Sequence, residues 1–374
     1  MSENFGSGGY EAYFKILEEN LEKSRMNNPT ENKQLNRPVR TAPKIRKNKK
    51  SSLGNKKLIA LFVSIVLIIS GVAVFGNFTK ADKIPKKPQP LKNTEQTEQK
   101  QEDIIKKSFA FTDETTDIPK SNDAEFGIII NKETGTVVAE RKATERAFPA
   151  STTKIMTLLT AVDLISDYND TFTMSYEITD PLFVEEASVA GFLDGEKVNM
   201  TDLLYGTILP SGADAAMGLA VKLAGSEEAF VELMNQKVAE LGLSDTHFDN
   251  VTGLYSENNY STAYDMAIIL DTALENEICK KVLSTYQYTT AKTPEHPDGI
   301  PLSSTLFTYM YGTEPETATI LGGKTGYVNE SGYCIASYGS NNENGNEYIV
   351  ITFNNSARMP AFFGQIDLYK EFAK

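Results

Sequence analysis

At 374 residues, the chain is long enough for one large domain with appendages. Its charge is uneven: residues 1–57 hold 13 Lys/Arg against 6 Glu, a net of +7, so with a formal total of −13 the remainder carries −20. An acidic body of this kind argues against nucleic acid as a partner, which would demand a basic footprint. Two histidines, His247 and His296, with no partner at metal-ligand spacing argue against a zinc hydrolase, and no cofactor is expected.

In chain order, residues 1–57 read as a basic, largely disordered tail. One helical pattern, Tyr10 to Lys23, places Tyr13, Ile16, Leu17 and Leu21 on a face and reads as a marginal surface helix, with an unidentified cytoplasmic partner as the alternative. From Leu58 to Phe75 every residue is apolar except Ser64, Ser70 and Gly71. That length approaches the roughly 30 Å of a bilayer core, so 58–78 is expected to be a single transmembrane anchor. Lys44, Arg46, Lys47, Lys49, Lys50, Lys56 and Lys57 precede it, and the positive-inside rule puts the N-terminus in the cytoplasm and the rest of the chain outside. The competing reading, a cleaved signal peptide, is weakened by the long leader and the lack of an A-x-A site. Residues 79–122, opened by Pro85, Pro88 and Pro90, read as a flexible linker. A chain of that length has a reach of roughly 35 Å.

The folded domain is expected over 123–374. Phe126–Asn131 and Thr136–Glu140 read as strands joined by a turn at 132–135. A buried helix follows Pro149, and a helical region runs from Thr201 to about Leu283. Within that region Ser226 is expected to cap a helix that Gly242 ends. Gly332–Tyr338 and Tyr348–Phe353 read as strands about an Asn344-Gly345 turn, and Ala361–Phe372 as a last helix. The fold class is therefore α+β, an antiparallel sheet flanked by helices with a mostly helical subdomain. Cys279 falls in an expected helix and Cys334 in an expected strand, read as two separate buried thiols.

The chemistry starts at Ser151-Thr152-Thr153-Lys154. A serine hydroxyl is a poor nucleophile until a base removes its proton, and residues at i and i+3 share a helix face, so Lys154 can serve. Ser151 would lie at a helix N-terminus, where free N–H groups favour developing negative charge. Taken alone, Ser151 is equally an N-cap and Lys154 a surface lysine, since Ser-x-x-Lys arises roughly once by chance in a chain this long. Two further segments matter in combination: Pro210-Ser211-Gly212-Ala213-Asp214 and Gly323-Lys324-Thr325-Gly326-Tyr327. Their ordinary explanations are that Ser211 caps a helix over Asp214–Leu223 and that Lys-Thr-Gly is a polar strand start.

Ser-x-x-Lys, a second Ser motif and Lys-Thr-Gly, in this order, resemble the signature of active-site serine penicillin-recognising enzymes. The surrounding residues narrow the resemblance to the low-molecular-mass D-alanyl-D-alanine carboxypeptidases. They are Arg146 through Lys154, Phe248 through Leu254, Ser261 through Ala267 and Gly323 through Cys334. The likeness covers about residues 124–374 and leaves out the tail, anchor and linker.

The resemblance implies that Ser151 attacks the carbonyl between two terminal D-alanines of a peptidoglycan stem peptide, with Lys154 as base. Lys324 and partial desolvation would lower the pKa of Lys154. It implies that Ser211 relays a proton to the leaving amine and that Lys324 and Thr325, in the segment with Gly326 and Tyr327, hold the terminal carboxylate. Arg358 is a further candidate for that carboxylate, and the N–H groups of Ser151 and Tyr327 for the oxyanion hole. β-Lactam antibiotics would be covalent inhibitors, and the protein a single-pass bacterial membrane enzyme. One position departs: the family's second motif usually ends in Asn, and here it is Ala213. A β-lactamase, a D,D-endopeptidase and a weakly active penicillin-binding scaffold are the alternatives.

Overall fold

The structure is a computed structural model and describes residues 107–310, 312–313 and 315–374. The tail, the 58–78 segment and most of the expected linker lie outside the described residues. Among the described residues no helix is long and apolar enough to cross a membrane.

The frame is a six-stranded sheet. Its strands are β1 (Thr116–Asp117), β2 (Phe126–Asn131), β3 (Thr136–Arg141), β8 (Ala318–Val328), β9 (Gly332–Asn341) and β10 (Glu347–Asn355), in the order β1-β3-β2-β10-β9-β8. All neighbours are antiparallel except β1, which runs parallel to β3. The sheet is therefore mixed, which corrects the all-antiparallel expectation. Alternation sorts its side chains. Ile128, Ile130, Ile349, Ile351 and Phe353 face one core, while Ile129, Tyr348 and Val350 face the other. Both faces are covered, so these strands read as nearly continuous apolar runs.

On the first face pack α1 (Lys154–Leu164) and α6 (Ala263–Glu275). The second is closed by α9 (Arg358–Phe372), which starts three residues earlier than the sequence suggested and so includes Arg358. Between β3 and β8 lies the helical subdomain. Its members are α2 (Tyr176–Val184), α3 (Met200–Ile208), α4 (Ala213–Ala224), α5 (Glu227–Glu240) and α7 (Glu277–Leu283), with the small hairpins β4 (Thr171–Thr173)/β5 (Lys197–Asn199) and β6 (Gln287–Thr289)/β7 (Pro301–Ser303). Ser226 caps α5 by accepting from Ala229 N, and Gly242 follows with φ 73°. A short helix, α8 (Thr305–Met310), leads into β8.

The linker boundary needs correction. Residues 107–122 belong to the domain: Phe109 is buried, with its N–H and carbonyl both on the Tyr264 hydroxyl, and Ile118 is buried behind β1. Both cysteines are free and buried. Burial pushes the Cys279 thiol up to about 12 and Cys334 up to about 11, so neither is a thiolate at neutral pH.

Candidate active site

Ser151 does not open the α-helix directly. It sits in a 3-10 turn, Ala150–Thr153, stacked on the start of α1. Ala150 before it has φ 47°, a left-handed conformation costing a non-glycine residue about 1–3 kcal/mol. The same holds at Ser211, with φ 65°. That twist breaks the chain between α3 and α4, and Gly212, not Ser211, is the residue before the first turn of α4. The expected Ser211 cap is absent. Its hydroxyl instead accepts from Lys324 Nζ at 2.9 Å.

Lys154 Nζ donates to Ser151 Oγ at 3.0 Å and to the Thr252 carbonyl at 2.6 Å. The same carbonyl accepts from Ser151 Oγ at 3.3 Å. Lys154 is 2 % exposed and Lys324 1 %, and among the described residues neither forms an ion pair. Desolvation lowers the Lys154 amine to about 7, against a weaker upward pull from the Asp214 carboxylate. Lys324 is held well below the ordinary lysine range, first by burial and then by repulsion from Lys154. Of the two causes expected from the sequence, Lys324 and desolvation, burial is the one that acts on Lys154, and the repulsion falls on Lys324.

Ser151, Lys154, Ser211, Ala213, Thr325, Gly326, Tyr327 and Arg358 all line one cleft of about 540 Å³, together with Thr252–Tyr255 and Glu185–Ser188. Lys324 lies beneath it, its Nζ also donating to the Thr325 carbonyl at 2.6 Å. Lys-Thr-Gly is not a strand start but sits well inside β8. There the strand passes so close to the serine turn that a Cβ on Gly326 would lie 2.8 Å from Ser151 N. Arg358 is exposed on the cleft wall, donating to the Tyr309 hydroxyl at 2.7 Å with its guanidinium 5.2 Å from the Tyr309 ring centroid and 5.8 Å from that of Tyr333. Among the described residues it has no carboxylate partner.

Four side chains had no role in the sequence reading. Asn250 Oδ1 accepts from Thr252 N, Thr252 Oγ1 and Gly253 N, which folds the segment so that the Thr252 carbonyl meets Lys154. The Asn-x-Thr-Gly pattern is an Asx-turn signal that could have been found. Thr157 Oγ1 donates to the Val251 carbonyl at 2.7 Å and Asn259 Nδ2 to Thr153 Oγ1 at 3.2 Å, strapping the segment onto α1. Asp214, 1 % exposed, accepts from the N–H groups of Ala190, Gly191, Phe192 and Ala215, tying the 190–192 segment to α4.

A mixed sheet flanked by helices, with a serine hydrogen-bonded to a buried lysine three residues on, is the penicillin-binding, transpeptidase-like fold. The family model for D-alanyl-D-alanine carboxypeptidases matches residues 112–357, and the chain belongs to that family. It is 33 % identical over 236 residues to D-alanyl-D-alanine carboxypeptidase DacF of Bacillus subtilis, covering 62 % of this chain and 57 % of DacF. The Streptomyces sp. (strain K15) D-alanyl-D-alanine carboxypeptidase is 34 % identical over 218 residues, covering 56 % of this chain and 74 % of that one. The crystal structure of the Streptomyces K15 DD-transpeptidase superposes with a TM-score of 0.59 at 30 % identity, over 67 % of this chain and 97 % of that one. Penicillin binding protein 5 from Haemophilus influenzae superposes with a TM-score of 0.58 at 25 % identity, over 68 % and 70 %. The chain spans little more than half the length of DacF.

Proposed function

We propose that this chain is a serine-type D-alanyl-D-alanine carboxypeptidase that trims peptidoglycan stem peptides and is acylated by β-lactams. The observation carrying this reading is the buried Lys154 amine, without a carboxylate partner among the described residues, 3.0 Å from Ser151 Oγ. With burial lowering it to about 7, about half the amine is neutral at neutral pH. The neutral amine accepts the serine proton as Oγ bonds to the carbonyl carbon of the penultimate D-alanine. The carbonyl oxygen becomes an oxyanion beside the Ser151 and Tyr327 backbone, where removing one such donor typically costs about 10²–10³ in rate. The C–N bond then breaks, and the amine nitrogen of the terminal D-alanine takes a proton, delivered through Lys154 and the Ser211–Lys324 pair. Water attacks the acyl carbonyl carbon as Lys154 takes its proton, the C–Oγ bond breaks with that proton returned to Ser151 Oγ, and the shortened peptide leaves. Arg358 supplies the charge and Thr325 the hydroxyl for the terminal carboxylate, with Lys324 beneath them donating to Ser211 Oγ and the Thr325 carbonyl.

The 58–78 segment, its basic flank and the residues after it support a single-pass membrane enzyme working on the outer side. Release of D-alanine from a pentapeptide, with mass spectrometry of penicillin-treated protein, tests the reading. A stable adduct on Ser151, absent in Ser151→Ala, with free D-alanine is the expected result. Rapid penicillin turnover would point to a β-lactamase, and no adduct to a scaffold. Cleavage confined to cross-linked dimers would point to an endopeptidase.

A further inference from the structure

The cation and hydroxyl assigned to the substrate's terminal carboxylate do not hold themselves in place. Thr325 Oγ1 is hydrogen-bonded to Thr305 Oγ1 at 2.7 Å, and Arg358 Nη1 donates to the Tyr309 hydroxyl at 2.7 Å. Thr305 and Tyr309 both belong to α8, four residues apart, and so share one face of that helix. The helix is pinned at both ends of this face. Thr305 N donates to the Leu209 carbonyl at 2.9 Å, two residues before Ser211, and the Tyr309 ring packs 5.0 Å from that of Phe362 on α9. Leu306 and Met310, on the other side of α8, are fully buried in the second core. One short helix therefore touches the second motif, the third motif and the start of α9.

An arginine on a cleft wall loses side-chain freedom when a partner orders it, and that cost falls on substrate binding unless it is met beforehand. Arg358 lies on the Tyr309 ring, accepts restraint from its hydroxyl, and keeps its remaining donors for another acceptor. Thr325 has a rotatable hydroxyl whose direction the Thr305 hydroxyl fixes. We propose that α8 sets the geometry of carboxylate recognition, with Tyr309 as the positioning residue for Arg358 and Thr305 as that for Thr325. This rests on the carboxypeptidase reading only in taking the cleft's ligand to end in a carboxylate.

The test compares acylation of Ser151 by benzylpenicillin and by its methyl ester, which differ only in that charge, in the full chain and its variants. Tyr309→Phe is expected to slow acylation by the free acid about 3–10-fold, the worth of one hydrogen bond, and by the ester less than about twofold. Thr305→Val behaves alike and Thr305→Ser restores the rate. Arg358→Ala reduces the discrimination between acid and ester, and Tyr309→Phe added to it has no further effect. With a pentapeptide the loss appears in KM more than in kcat. Equal losses on acid and ester, or additive losses in the Tyr309→Phe/Arg358→Ala double variant, overturn the proposal. If wild-type protein discriminates acid from ester but releases no D-alanine from peptide, the carboxypeptidase reading falls while the role of α8 stands.

Discussion

Lys324 Nζ donates to Ser211 Oγ at 2.9 Å, joining residues 113 positions apart, and Lys154 does the same to Ser151 at 3.0 Å. Each buried amine is thus paired with a hydroxyl rather than a carboxylate. A carboxylate would hold either lysine in its charged form, and at Lys154 would end the proposed use as a base. Hydroxyl and carbonyl partners satisfy the N–H donors while leaving burial free to expel the proton.

The first prediction concerns pH. Acylation needs neutral Lys154, whose pKa burial lowers to about 7, so the penicillin acylation rate should climb with pH through about 7 and then level off. Stability should follow the same group. Between about 7 and the ordinary lysine value near 10.5, the unfolded chain holds a proton that the folded chain has released. The unfolded state binds more protons there, so this lysine's penalty on folding is largest below about 7 and fades as pH rises across that window. Lys154→Met should abolish acylation and remove that pH-dependent penalty. Its Tm relative to wild type should be highest at pH 6–7 and the gap should close by about pH 10. A gap that does not change with pH would sink the argument.

Gly253 carries the second prediction. Its φ is 77°, and a Cβ there would lie 1.9 Å from the Ala150 carbonyl oxygen and 2.8 Å from Ser151 N. Neither atom can yield without moving the serine turn or the Thr252 carbonyl. Gly253→Ala should therefore cost about 1–3 kcal/mol from the conformation alone and cut acylation by at least about tenfold. Circular dichroism and labelled penicillin check the two separately. Retained folding with an unchanged rate would show that the Thr252 carbonyl does not need this approach.

The contact between Ser151 and Lys154 was legible in the sequence because it is local, three residues along one helical turn, and so was the adjacency of Lys324 and Thr325. The sheet strands were legible because both faces are buried and Val, Ile and Phe run through them. What the sequence hid is long-range. Nothing local says that Thr252 receives Lys154, that Leu209 receives Thr305, or that the polar run at 107–122 packs against Tyr264. β1, two exposed residues long, has no pattern to read at all. The segment between α1 and α3 was missed for a related reason. α2 contains Pro181, and β4 and β5 are three residues each, too short for periodicity to register.

Asp214 carries the third prediction. Its buried carboxylate accepts from four backbone N–H groups, three of them in the 190–192 segment just after the cleft-lining Glu185–Ser188. An amide at this position turns one acceptor into a donor facing those N–H groups. Asp214→Asn should cost about 2–4 kcal/mol, seen as a Tm about 5–12 °C lower. It should also loosen that segment, so hydrogen exchange should rise at Ala190–Phe192 more than in β9 or β10. Uniform exchange would mean that the carboxylate stabilises the fold without specifically holding the cleft.

The last prediction concerns Ala213. Its side chain is nearly buried at the first turn of α4, on the cleft lining beside Ser211, and its N–H is already used by the Ser188 carbonyl at 2.7 Å. A methyl group there offers nothing to Lys154 or to a substrate amide, so Lys154 is left with two oxygen partners, Ser151 and Thr252. An asparagine would add a carbonyl within the lysine's surroundings and an N–H₂ toward the cleft. One added hydrogen bond in a site that excludes water is worth about 1 kcal/mol, so Ala213→Asn should speed acylation by roughly 3–10-fold. The added carbonyl also favours the charged amine, which should move the acylation pH profile upward. A faster variant with an unshifted profile would assign the gain to substrate contact alone. An unchanged rate at unchanged Tm would show that Ser211, Lys324 and the Thr252 carbonyl already complete the site without an amide at position 213.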